Sequence, residues 1–118
     1  MTLSFNAIAQ TFDEDPRRVT MAAAIARIML TTLPLTSQTS LLDYGAGTGL
    51  VSLALAPYVG TLIAADESEG MLEVLRAKLA TSNFANIQIR PWNVNQDAAD
   101  LPVVDVIAGS MVLHHMED

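Results

Sequence analysis

No cysteine occurs in the chain, which removes disulfide staples, thiolate nucleophiles and cysteine zinc sites together and fits a cytoplasmic protein. Basic residues are scarce as well: 6 Lys and Arg stand against 13 Asp and Glu, a formal net charge of −7. The cations, among them Arg17, Arg18, Arg76, Lys78 and Arg90, are dispersed. The basic face that a nucleic-acid backbone needs is therefore missing, and no nucleic-acid partner is expected. A small neutral or cationic ligand suits this field better than a polyanion. Long apolar runs are also lacking, because Arg27, Asp43, Asp66 and Asp105 interrupt the richest regions before the roughly 18 residues of a membrane helix accumulate. Met1-Thr2-Leu3-Ser4 does not lead from basic residues into an apolar core, so neither a secretion signal nor membrane association is expected.

What is present is a core. The 118 residues are 51% hydrophobic, enough for one domain and far from a disordered composition. Of 6 glycines in the chain, half fall in the stretch Leu41-Leu42-Asp43-Tyr44-Gly45-Ala46-Gly47-Thr48-Gly49-Leu50. An apolar run ends in a carboxylate, glycines follow at alternate positions, and an apolar segment restarts: a strand, a tight turn and a helix start. Glycine tolerates positive φ and lets a ligand press against bare backbone, so this turn reads as a small-molecule cradle rather than an ordinary β-to-α connection.

Around it the chain alternates between helical and extended patterns. Phe5, Ile8 and Phe12 suit a short helix; Asp15-Pro16 opens a longer one, expected over 16–32, with Val19, Ala22, Ala23, Ala26, Leu30 and Leu33 on one face until Pro34 stops it. Strands are expected at 40–43, 61–66, from 87 to about 94, and 103–108. Helices are expected at 49–56, closed by Pro57 and Gly60, and from the capping string Asp66-Glu67-Ser68-Glu69 to about Asn83, with Leu72, Leu75 and Leu79 buried. Strands spaced by helices imply right-handed βαβ units, a parallel sheet, and a ligand site outside the carboxyl ends of the strands. Asp43, the glycines, Asp66, Asn93 and Ser110 all fall at those ends, and Asp105 reads as a structural acid at the start of strand four.

A dinucleotide fingerprint, Gly-x-Gly-x-x-Gly or Ala, does not fit, since its last position falls on Leu50 or Ser52. Asp43-x-Gly45-x-Gly47-x-Gly49 instead resembles motif one of the class I S-adenosylmethionine-dependent methyltransferases. Ala65-Asp66-Glu67-Ser68-Glu69-Gly70-Met71-Leu72 looks like that superfamily's second motif, and Val112-Leu113-His114-His115-Met116-Glu117-Asp118 is similar to the segment after strand four in its small-molecule enzymes. The resemblance implies a Rossmann-like three-layer α/β/α sandwich with a parallel sheet in the order 3-2-1-4, binding S-adenosyl-L-methionine and acting on a small molecule. It also implies further strands. The expectation is therefore an N-terminal portion of a longer methyltransferase, with residues 1–35 as a helical cap, 36–118 as the βα core, and an open strand-four edge available for self-association.

Residue by residue, the resemblance implies that backbone N–H groups of Gly45, Ala46, Gly47 and Gly49 meet the cofactor's methionine carboxylate, while Asp43 fixes the loop or meets the ammonium. Asp66 would accept both ribose hydroxyls, with Glu67 beside it, and Met71 would pack on adenine or else belong to the core. The adenine edge falls to Asn93 or, on a competing alignment, to Asp97. Ser110 completes the set. His114 or His115 would take a proton from the acceptor, or else pack and cap locally, and adjacent histidines make no metal site. Tyr44 and Trp92 would face the sulfonium or serve as core and rim. A non-catalytic cofactor-binding or interaction module with the same fold is the alternative in another class, and an NAD-dependent dehydrogenase ranks third.

Overall fold

The computed structural model describes residues 5–92 and 102–109. A short helix α1 (Phe5–Ile8) runs into a 3₁₀ segment (Ala9–Glu14), followed by α2 (Pro16–Thr32), β1 (Ser40–Tyr44), α3 (Leu50–Leu55) with a 3₁₀ extension (Ala56–Tyr58), β2 (Thr61–Asp66), α4 (Glu69–Ala80), β3 (Ile87–Pro91) and β4 (Val106–Ala108).

Helix α2 begins where its cap residue dictates. The Asp15 carboxylate accepts the Arg17 N–H at 2.9 Å, Pro16 supplies a preset φ, and Leu33, just ahead of Pro34, ends the helix in an extended conformation. Its buried stripe is narrower than the sequence suggests. Ala22 and Ala26 are buried, but Val19 is 41% exposed and Ala23 is exposed. Two alanines a turn apart let the helix lie close on α3, and Ile25, Met29 and Leu30 pack partly buried against the same core. Helix α4 stops at Ala80 rather than near Asn83, and β4 is confined to three residues.

The sheet is parallel throughout, in the order β3-β2-β1-β4. Ser40 pairs with Thr61, Leu62 with Ile87 and Leu41 with Val106, a register in which β1 and β2 end level with one another. Alternation then assigns the two faces. Leu41, Leu62, Ala64 and Ala108 share one core with Ala22 and Ala26 of α2, Val51 and Leu55 of α3, and Leu75 of α4, so the three longer helices cover one face. Leu42 and Ala65 pack on the other face with Trp92, Tyr44, Ile63 and Val104. Each of the two inner strands buries both faces, which explains why β1 and β2 are continuously apolar. At the amino end of the sheet Asp105 is the expected structural acid: its carboxylate accepts the Ser40 N–H at 2.9 Å and the Ser40 hydroxyl at 3.2 Å, stitching β4 to β1. On β4, Ile107 remains 57% exposed. Among the described residues no helix is long and apolar enough to cross a membrane.

The loop after β1 is held against α4 through a glycine. Gly49 has φ +86°, and a Cβ there would lie 2.4 Å from Leu75 Cδ1, whereas at Gly47 (φ +59°) the nearest atom is Met71 Sδ at 3.9 Å. Gly47→Ala is therefore expected to cost only backbone strain, about 1 kcal/mol, and Gly49→Ala roughly 2–4 kcal/mol, because strain and overpacking add. Urea denaturation of the two variants measures the difference, and equal losses would contradict it.

Candidate functional site

The carboxyl ends of β1 and β2 build a single polar corner. Gly45, Gly47 and Gly49 all adopt positive φ, at 80°, 59° and 86°, which is the physical demand behind their alternation. The turn closes back on β2: the N–H groups of Gly45 and Ala46 both donate to the Ala65 carbonyl, at 2.8 and 3.0 Å, and that of Gly49 donates to the Ala46 carbonyl at 3.0 Å. The N–H of Gly47 donates to Asp66 Oδ2 at 2.8 Å. All four amides expected to meet a ligand carboxylate are thus engaged inside the protein. The loop secures its own shape with them, and a carboxylate has to find its donors elsewhere.

Asp66 holds the corner together. While Oδ2 takes the Gly47 N–H, Oδ1 accepts the Ser68 N–H at 2.8 Å, so one side chain joins the glycine loop to the turn that starts α4. The residue is half-buried, and an ionised carboxylate has about four lone-pair sites. Two remain for a further pair of donors, which is what a vicinal diol presents. Glu67 beside it is exposed.

Asp43 is 3% exposed and its Oδ2 accepts the Ser52 hydroxyl at 2.6 Å, tying the end of β1 to α3. Of its two expected roles, this geometry supports fixing the loop. Burial pushes its carboxyl up to about 6; the Ser52 hydrogen bond opposes the shift, and the nearby Asp66 charge adds to it. Met71 is 2% exposed and packs against Ala9 and Phe12, behind the loop. Trp92 is buried, meets Tyr44 edge to face with ring centroids 5.2 Å apart, and lies 5.7 Å from the Arg90 guanidinium, while its backbone N–H donates to the Asp66 carbonyl at 3.0 Å. This matches the core and rim roles. The structure thus brings together Asp43, the glycine loop, Asp66 and Glu67, with Met71 behind them. Asn93, Asp97, Ser110, His114 and His115 lie outside the described residues. Among the described residues no group of three His, Asp or Glu is placed to hold a metal ion.

Sequence reasoning missed several members of this corner. Within the expected capping string it is Ser68 that caps α4, accepting the Met71 N–H at 3.3 Å, with Glu69 in the first turn. Asn6, Asp13 and Lys78 reach the same corner from distant positions, and Thr48, lying between two glycines of the loop, was the one with a local signal.

Strand order, glycine turn and the acid ending β2 together define the class I methyltransferase fold. A family model described as "Methyltransferase domain" matches residues 41–118, and the chain belongs to that family. A demethylmenaquinone methyltransferase of Clavibacter sepedonicus is 46% identical over 65 residues, covering 55% of this chain and 24% of that protein. An uncharacterized methyltransferase of Schizosaccharomyces pombe is 29% identical over 86 residues, 67% of this chain and 30% of that protein. The matches thus span about a quarter to a third of the length of these relatives. Among solved structures, a putative S-adenosyl-L-methionine-dependent methyltransferase from Methanococcus maripaludis superimposes with a TM-score of 0.73 at 24% identity, over 92% of this chain and 52% of that one. The putative methyltransferase bound to the Trm112 activator of Haloferax volcanii gives 0.71 at 21% identity, over 92% and 47%. These two likenesses concern the fold.

The position of Asp43 has a thermodynamic consequence. Its pKa rises from about 4 in the unfolded chain to about 6 in the fold, so between those values the native state keeps a proton that the unfolded chain has released. Its contribution to stability therefore falls as pH rises through that window and is level above it. Asp43→Asn removes this slope. From pH 4 to 7 the variant is expected to gain on the wild type by on the order of 2–3 kcal/mol, measured by urea denaturation at each pH; a constant difference would contradict the buried, raised carboxyl.

Proposed function

We propose that the chain is the cofactor-binding part of an S-adenosyl-L-methionine-dependent methyltransferase acting on a small-molecule acceptor. The observation that carries this reading is Asp66: an acid at the end of β2 that holds the glycine loop with one oxygen and the turn before α4 with the other, leaving one lone pair on each for the two hydroxyls of a ribose diol. Family membership supports the activity, and the Clavibacter relative, named for a quinone-type acceptor, supports a small substrate over a polymer.

The bound cofactor would supply a methyl group already activated by its positive sulfur. The protein's part in such a reaction is to position the acceptor in line and exclude water. In this chain Asp66, with Glu67 beside it, would hold the ribose, Asp43 and Ser52 would keep the loop in register, and Met71 would back the loop from the core. Asn93 or Asp97 for the adenine edge, Ser110 as a further cofactor contact, and His114 or His115 as the acceptor's base complete the proposal from the sequence. The acceptor is neither nucleic acid nor membrane in this reading, which follows from the acidic charge balance.

Calorimetry with S-adenosylhomocysteine tests the site. The wild type is expected to bind, and Asp66→Ala to bind at least tenfold more weakly, the loss of two charge-assisted hydrogen bonds, with circular dichroism showing the variant still folded. No heat from the wild type, or equal affinity in a folded variant, would overturn the proposal.

A further inference from the structure

The polar contacts that this reading leaves unused converge on one segment. Residues 6–13 cross the outside of the corner and touch both of its halves. At one end Asn6 Oδ1 accepts the Ser68 hydroxyl and the Gly70 N–H, each at 2.7 Å, two and four residues beyond Asp66. At the other end Asp13 Oδ1 accepts the Thr48 hydroxyl at 2.6 Å, and Asp13 Oδ2 pairs with the Lys78 ammonium, which also donates to the Thr48 carbonyl at 2.8 Å. Asp13, Lys78 and Thr48 thus close a ring that includes the one loop residue standing between Gly47 and Gly49. Between the two anchors Ala9 and Phe12 are buried on Met71, and Arg18 covers Phe12 with its guanidinium 4.3 Å from the ring centre while donating to the Phe12 carbonyl at 3.3 Å.

The loop needs such support. Glycine loses more backbone freedom on ordering than any other residue, and three held at positive φ in five residues make a turn whose ordered form is entropically costly. Its own hydrogen bonds reach only β2 and itself. Thr48 is 1% exposed and is gripped at both its hydroxyl and its carbonyl by a charged pair, and bonds of that kind are about twice as strong as neutral ones.

We propose that Asn6 and Asp13 are positioning residues: the segment between them is a strap that holds the glycine loop and the Asp66 turn at their binding distance without touching the ligand. The proposal rests on the adenosyl-ligand reading above. Coupling of this kind is reciprocal, so a ligand seated between loop and turn must also tighten the strap.

Two measurements on the full chain test this. Hydrogen exchange of the wild type with and without S-adenosylhomocysteine needs no variant, and added ligand is expected to slow exchange of the amides of residues 6–13 as well as those of 45–49. Calorimetry then compares Asp13→Asn and Thr48→Val, each expected to bind roughly tenfold more weakly, with the double variant no weaker than the poorer single, because both break one ring. A wild type that gives no heat and no protection anywhere overturns the ligand reading and the strap together. A wild type that binds with residues 6–13 unprotected, or with unchanged affinity in Asp13→Asn, overturns the strap alone.

Discussion

The carboxylate of Asp66 joins two turns that the chain would otherwise leave independent. One follows β1, the other follows β2, and parallel register brings both strands to an end at the same level. Each turn presents an N–H to one oxygen of the same acid. Without it the glycine loop would be anchored to β2 only through the Ala65 carbonyl, and the contacts of Asn6 and Asp13 would be left as the side-chain link between the two halves of the corner. A ligand spanning both halves needs that separation set in advance, because binding energy spent on ordering loops is lost from affinity.

The remaining features serve the same end at increasing distance. Asp43, buried and bonded to Ser52, fixes where β1 hands over to α3. Leu75 of α4 presses on Gly49, which is why that position tolerates no side chain. Asp13 and Lys78 hold Thr48 from outside. A wholly apolar corner would pack as well but would present nothing to a diol. A corner with more unpaired polar atoms would carry a desolvation cost, and among the described residues no buried side-chain nitrogen or oxygen lacks a partner.

Local chemistry made much of the fold legible in the sequence. Asp15-Pro16 marked the start of α2, and the two apolar strands ending in Asp43 and Asp66 are where the pattern placed them, because capping, proline geometry and runs buried on both faces act within a few residues. The pattern failed where tertiary packing decides. Val19 and Ala23 have helical spacing, but only Ala22 and Ala26 lie on the face of α2 that meets α3 and the sheet, and Val19 and Ala23 stay exposed. The site was legible to the same depth. Glycines at alternate positions announced the loop, yet spacing could not show that its amides turn inward to Ala65 and Asp66. Asn6, Asp13 and Lys78 meet partners 30 or more residues away, and such pairings leave no periodic trace in one sequence.

The central question for this fold is whether the ends of β1 and β2 receive an adenosyl ligand. A titration of the isotopically labelled chain with S-adenosylhomocysteine, followed through backbone amide chemical shifts, asks this directly. The expected result is saturable shifts confined to residues 45–49 and 66–71 and to the strap that touches them, with the exposed face of α2 around Met21 and Ile28 unmoved. Saturable shifts on α2 with none at Gly47 or Ser68 would contradict it.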